Sequence, residues 1–305
     1  MTKPFAAAFG VVLNLFLPHC SWGATEVATN SPTNRVHIPI EFRHGDLMVP
    51  VKVNDSNSLT FKLDSGFGVT TVHPDLVESL QLRPTGRLRK EGIAGEERAT
   101  VYTGATFDFG GTTYSPRRVA VIPSEAQRRR RERDGVLGAG FFRRYVVELD
   151  PVRRTLTLHE PRQFNYAGKG EAISLEFRRD TPIVEAAINI PDRAPIRAKF
   201  EIDSGCDGEL CLGHDFVETN ALDHHPDSPP TESRYGVGGS VETRNGVLPQ
   251  FQLGSHKLDK LPANFFLKGS PVDDGLAGHI GLNTLRKFRV IFDYSRRKMI
   301  LEPLK

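Results

Sequence analysis

The sequence predicts an all-β protein assembled from two similar halves, and three observations predict it. Apolar residues alternate with polar ones over short stretches, the period of strands buried on one face. A strand-like run ends in Asp-Ser-Gly twice, at Asp64 and again at Asp203. Further landmarks surround both copies in the same order, so segment 35–161 lies on segment 172–303 as an internal repeat.

Each half opens with alternating apolar positions: Val36, Ile38, Ile40 and Phe42 in the first, Ile173, Leu175 and Phe177 in the second. A second alternation follows at Leu47, Val49, Val51 and Val53, with a looser counterpart at Ile183, Val184, Ala186 and Ile188; hairpins are the natural reading. Next come FKLDSGFGVTTV and KFEIDSGCDGELCL, where an aromatic–x–aliphatic strand runs directly into Asp-Ser-Gly. An aspartate placed directly behind a buried apolar strand is costly unless it is satisfied or useful, which marks Asp64 and Asp203 as candidate functional residues. The blander reading is that both turns merely cap strands through their Asp and Ser side chains.

Gly92-Ile93-Ala94-Gly95 and Gly236-Val237-Gly238-Gly239 follow, each leading into strand-like residues. Glycine there permits positive φ at a hairpin tip. The last landmark joins Val136-Leu137-Gly138 to Asp150 and Ile280-Gly281 to Asp293, twelve residues from glycine to aspartate in both copies (150 − 138 and 293 − 281). Between them, Phe141, Phe142 and Tyr145, or Leu285 and Phe288, are spaced for a short helix. Asp150 and Asp293 lack the Ser-Gly turn and precede basic pairs, so they read as turn-forming residues.

Composition is near globular averages, with 38% hydrophobic and 25% charged residues, so it suggests neither a disordered chain nor a multi-span membrane protein. The formal charge of +3 names no partner, since part of it sits in one stretch at Arg128, Arg129, Arg130, Arg131 and Arg133. Lys3 precedes an apolar run from Phe5 to Leu17, closed by Pro18 and followed by Ser21, Gly23 and Ala24. That is the pattern of a signal peptide, expected over residues 1–24, and the run is shorter than the roughly 20 residues a membrane span requires. The mature protein is therefore expected outside the cytoplasm, periplasmic or secreted, with no stable membrane span. Signal removal leaves only Cys206 and Cys211, too few for a disulfide framework; free buried thiols are expected, with a bridge left open.

An Asp-(Thr/Ser)-Gly turn, a glycine-rich flap and a hydrophobic-hydrophobic-Gly segment together resemble the pepsin and retropepsin aspartic peptidases, and both halves carry the set. The resemblance covers nearly the whole mature chain and looks like a bacterial-type single-chain form with flaps similar to those of retroviral proteases. It implies two similar closed β-barrel lobes, 25–162 and 163–305, with an active-site cleft between them. It also implies that Asp64 and Asp203 meet at the cleft floor as the catalytic pair. By the same resemblance Ser65 and Ser204 bond across the lobe junction, Gly66 and Gly205 leave room beside the carboxylates, and the tips around Ile93, Ala94, Val237 and Gly238 close over an extended peptide. No Tyr stands beside Gly92 as in the pepsin flap, whereas Tyr235 adjoins Gly236, so a symmetric two-flap arrangement is expected.

Two carboxylates about 3 Å apart cannot both ionise cheaply, so the pair should share one proton. A water between them would attack a peptide carbonyl without metal, cofactor or covalent intermediate. The expectation is an endopeptidase acting on peptide or protein substrates, monomeric, with no nucleic-acid partner. The alternative from another class is a non-catalytic protein of the same fold that holds a peptide or glycan in the cleft. Cys206 with His214 would make a thiol nucleophile and base, but leaves the matching first turn unexplained. Asp223-His224-His225-Pro226-Asp227 lacks the helical spacing of a zinc peptidase and reads as a solvated loop. The arginine run has no interleaved aromatics for nucleic acid and reads as an exposed insertion.

Overall fold

The protein's structure, a computed structural model, describes residues 35–92, 95–122, 133–223, 232–236, 239–272 and 275–304. The alternating stretches become strands, with one difference from the sequence reading. The opening run of each half is divided: Arg35–Pro39 joins one sheet and Glu41–Arg43 another, and Glu171–Ser174 and Glu176–Arg178 separate in the same way. The breaks fall at equivalent residues, where Ile40 N donates to Arg154 O (3.0 Å) and Leu175 N to Arg297 O (2.8 Å). A change of sheet preserves the period-2 alternation, so the pattern alone does not show it.

Three strands from each half build a shared six-stranded sheet. Its order is Arg35–Pro39, Thr155–His159, Val146–Asp150, Phe288–Asp293, Lys298–Pro303, Glu171–Ser174. The halves meet at its centre, where Val147, Glu148 and Leu149 pair antiparallel with Phe292, Ile291 and Val290. Phe142, from the helix Ala139–Arg144, stacks on Tyr294 (5.4 Å between centroids) and meets Phe292 edge-on at 5.2 Å, so one apolar core runs through both halves.

The remaining strands of each half curl into a barrel. In the second half Thr181–Asn189, Ile196–Asp203, Gly278–Gly281, Leu210–Leu212, His256–Phe266 and Gly239–Leu253 follow one another, and the ring closes where Ala186 pairs with Leu253 and Asn189 with Gln250. In the first half Gly95–Thr103 and Phe107–Asp108 share the work of that long closing strand. Across the gap between them Asn54 continues the ladder: its Nδ2 donates to Gly104 O (2.9 Å) and its Oδ1 accepts from Thr106 N (2.9 Å). Each barrel holds the same aromatic pair, Phe61 on Phe107 and Phe200 on Phe251, both 5.3 Å apart at 87°. Such edge-to-face contacts are worth about 0.5–1.5 kcal/mol beyond their burial.

Candidate active site

The strands Ser58–Leu63 and Ile196–Asp203 each end in an Asp-Ser-Gly turn, and the fold brings the two turns together. Parallel neighbours hold them: Leu63 pairs with Leu137, Asp64 N donates to Leu137 O (3.0 Å), and Asp203 pairs with Gly281. Gly138 and Gly281 are required by close approach. A Cβ at Gly138 would overlap the carbonyl of Phe67 and lie 2.8 Å from that of Val69; at Gly281 it would overlap Gly208 O and lie 3.0 Å from Cys206 O. This accounts for the glycine of the hydrophobic-hydrophobic-Gly segment in both copies.

The serines cross between the lobes. Ser65 N donates to Ser204 Oγ and Ser204 N to Ser65 Oγ, both at 2.9 Å. Each hydroxyl then donates onward, Ser65 Oγ to Ile202 O (2.8 Å) and Ser204 Oγ to Leu63 O (3.1 Å). All four groups are buried, so water cannot replace these bonds and each anchors one turn to the strand of the other lobe.

The carboxyl groups of Asp64 and Asp203 face each other within this frame. Asp203 Oδ1 accepts from Gly205 N (2.8 Å), and a Cβ at Gly66 would lie 2.8 Å from that same oxygen. A Cβ at Gly205 would overlap the Asp64 carboxyl. Each turn glycine therefore leaves the space that the opposite carboxyl occupies. Burial, then the negative charge of Asp203, and then a hydrogen bond between the two carboxyls push the Asp64 pKa up from 3.8 to about 7, against the opposing charges of Lys62 and Arg133. The Asp203 side chain keeps 17% of its surface, so the pair remains reachable.

Several residues near the pair were not singled out from the sequence. Lys62 Nζ donates to Gly205 O (2.5 Å) and pairs with Asp46 (2.6 Å). Its counterpart Glu201 reaches the other turn, 3.1 Å from where a Gly66 Cβ would stand. His279 lies with Nδ1 3.5 Å from Asp203 Oδ2. Burial opposes a charge on His279, yet Cys206 and Asp203 outweigh it and raise its pKa to about 10. Tyr294 is buried, and burial followed by the charge of Asp64 pushes its hydroxyl well above the usual range. The repeat was the available signal: Lys62 and Glu201 occupy one position with opposite charges, and His279 stands where the first copy has Val136.

The glycine-rich segments are hairpins, with Gly92 paired to Gly95 and Gly236 to Gly239. Gly95 and Gly239 have φ of +133° and +129°, as glycine at a tip permits. Ile93, Ala94, Val237 and Gly238 lie outside the described residues, as do 123–132 with most of the arginine run and 224–230 with the His-His segment. Asp223, expected in a solvated loop, instead buries its carboxylate in an ion pair with Arg244. Asp150 Oδ1 accepts from Val152 N and Arg153 N, and Asp293 Oδ1 from Arg296 N, so both close turns. Cys206 and Cys211 are free thiols with their sulfurs 3.5 Å apart, and the imidazole grouped with them is His279, not His214.

Residues 49–141 match the family model described as aspartyl protease. Its match spans the first lobe's Asp-Ser-Gly turn, its hairpin and Gly138; the second lobe repeats those features with its own residues. The matched family is proteolytic, which supports a peptide as the substrate class. A comparison with curated proteins returned no match. Among the described residues, no helix is long and apolar enough to cross a membrane.

Proposed function

We propose that the protein is an aspartic endopeptidase in which Asp64 and Asp203 share one proton and activate a water. Asp64, the carboxyl pushed up to about 7, carries the proton and donates it to the carbonyl oxygen of the scissile peptide. Asp203 accepts a proton from the attacking water, whose oxygen bonds to the carbonyl carbon. The tetrahedral intermediate collapses when the leaving nitrogen takes a proton from the dyad and the C–N bond breaks. Ser65 and Ser204 act as positioning residues, because neither hydroxyl has a proton to spare beyond its carbonyl partner. The hairpins ending at Gly92–Gly95 and Gly236–Gly239 lie on an extended peptide and add main-chain hydrogen bonds to it.

The observation that carries this reading is the reciprocal serine bonding, which holds two aspartates 139 positions apart in sequence on opposed turns. Signal cleavage after Ala24 and an extracytoplasmic location belong to the same proposal, resting on the apolar run from Phe5 to Leu17. The test is cleavage of a random peptide library by the purified mature chain across pH, beside Asp64→Asn and Asp203→Ala. Cleavage by the parent alone is expected. Binding of peptides without cleavage at any pH, or the same cleavage pattern in the variants, would refute the dyad.

A further inference from the structure

The two lobes serve as each other's control. Strand register makes Val136 equivalent to His279, and Thr71, paired with Val136, equivalent to Cys211, paired with His279. Phe67 is equivalent to Cys206, since their carbonyls accept from Ala139 N (2.8 Å) and Leu282 N (2.7 Å) respectively. Where the first lobe has Phe, Thr and Val, the second has Cys, Cys and His. Their donor atoms all lie within 4.8 Å of one another. His279 is 6% exposed and Cys211 1%, and neither sulfur is in a disulfide. His279 Nδ1 lies 3.5 Å from Asp203 Oδ2, and its buried Nε2 makes no hydrogen bond of ordinary geometry among the described residues, although the imidazole and the Cys206 thiol interact. Gly208 N donates to Cys206 Sγ (3.4 Å), a bond that suits a thiolate.

We propose that Cys206, Cys211 and His279 form a binding site for a thiophilic divalent cation of the zinc type, with Nε2 as the nitrogen donor. Tetrahedral coordination, with Zn–S of about 2.3 Å and Zn–N of about 2.0–2.1 Å, sets the sulfurs roughly 3.8 Å apart and each about 3.6 Å from the nitrogen. The sulfurs stand at 3.5 Å and need move only a few tenths of an ångström, while the imidazole, within 4.8 Å of both, closes on them by up to about 1.2 Å. Asp203 at His279 Nδ1 supplies the carboxylate–histidine contact that commonly orients a metal-bound imidazole. A disulfide fits less well. It requires the sulfurs to approach to about 2.05 Å, it uses only two of the three changes, and it leaves the buried Nε2 without a hydrogen bond of ordinary geometry. The cation would tie the turn after Asp203 to the strands Leu210–Leu212 and Gly278–Gly281, and a water would complete its shell.

The full mature chain, reduced and stripped with chelator, is dialysed against Zn2+ and, separately, Co2+. One Zn2+ per chain is expected to remain, both thiols should resist alkylation while it is bound, and Co2+ should give a thiolate-to-cobalt charge-transfer band. His279→Val, which restores the first lobe's residue, should weaken retention by at least the roughly 10- to 100-fold that losing even an outer-shell partner costs. Should that variant not fold, the cobalt band of the parent and its loss in Cys211→Ser decide the matter. Absence of the band, equal Zn2+ retention by parent and folded His279→Val, or a Cys206–Cys211 disulfide in metal-free protein that reduction does not convert to a Zn2+-binding form would overturn the proposal. None of these readouts depends on peptide cleavage.

Discussion

Replacing Asp64 with Asn tests the shared proton through stability, independently of any substrate. The amide mimics the protonated carboxyl and does not titrate. In the parent the Asp64 pKa is raised from 3.8 to about 7 on folding. Below the lower value both folded and unfolded chains hold the proton; between the two values only the folded chain does; above the higher value neither does. A raised pKa therefore contributes stability that is present at low pH and lost as pH rises through about 7. At about 1.4 kcal/mol per unit, the rise amounts to about 4 kcal/mol. Urea unfolding of parent and Asp64→Asn at intervals from pH 3.5 to 8.5 should give a stability difference that grows in favour of the variant by about 4 kcal/mol, mostly between pH 4 and 7. Because the charge of Asp203 is the second cause of the rise, the swing should shrink in an Asp203→Asn background. Parallel pH profiles for parent and variant, with a difference constant to within about 1 kcal/mol, would show that no proton is held at this site.

The charge of Lys62 lowers the Asp64 pKa, so Lys62→Met should move the alkaline limb of the pH–activity curve to higher pH; an unmoved limb with reduced turnover would mean that Lys62 acts only through its bond to Gly205 O. Ser204→Ala removes the acceptor of the buried Ser65 N and the hydroxyl donor to Leu63 O, a loss of about 2–4 kcal/mol by denaturant unfolding. Combining it with Ser65→Ala should cost markedly less than the sum of the singles, since the four bonds form one network, and simple additivity would count against that coupling. Gly205→Ala drives a methyl into the Asp64 carboxyl and should abolish cleavage, whereas Gly86→Ala, with open space around its Cβ position, should leave cleavage unchanged. N-terminal sequencing of protein secreted by a bacterial host should begin at residue 25, and an intact Met1 would remove the signal-peptide reading.

The repeat, the two turns and the glycines at the hairpins were legible because each rests on local chemistry: period-2 alternation, an acid directly after an apolar run, glycine where φ is positive. The short helices were legible as well, through the spacing of Phe141, Phe142 and Tyr145. The shared sheet was not. Nothing in Val146–Asp150 or Phe288–Asp293 shows that the partner strand belongs to the other half, and Phe288, spaced as for the short helix, instead opens a strand after the helix ends at Leu285. The residues around the dyad escaped for a related reason. Lys62 and Glu201 occupy polar positions in alternating strands, indistinguishable in sequence from solvent-facing residues until the opposing turn covers them. Asp223 was misread because its partner Arg244 is 21 residues away and burial of an ion pair leaves no local mark.

The departures from the repeat are where one chain differs from a symmetric dimer. In a two-fold assembly of identical subunits, a substitution beside one aspartate appears beside the other, and both carboxyls must experience equal fields. Here Lys62 opposes Glu201, Phe67 opposes Cys206 and Val136 opposes His279, while the serine bonds and turn glycines stay matched. The matched residues set geometry, and the unmatched ones are mostly ionisable: His279 lies 3.5 Å from the Asp203 carboxyl, and the charge of Lys62 acts on Asp64. That distribution separates two requirements of a proton-sharing pair. Close approach of the turns needs symmetry, since each glycine must clear the opposite carboxyl; deciding which carboxyl keeps the proton needs asymmetry. Grafting the first lobe's residues onto the second, as Glu201→Lys with His279→Val, should therefore leave the serine network and the fold intact while changing the pH at which the pair gives up its proton. An unchanged pH profile would mean that burial alone places the proton on Asp64.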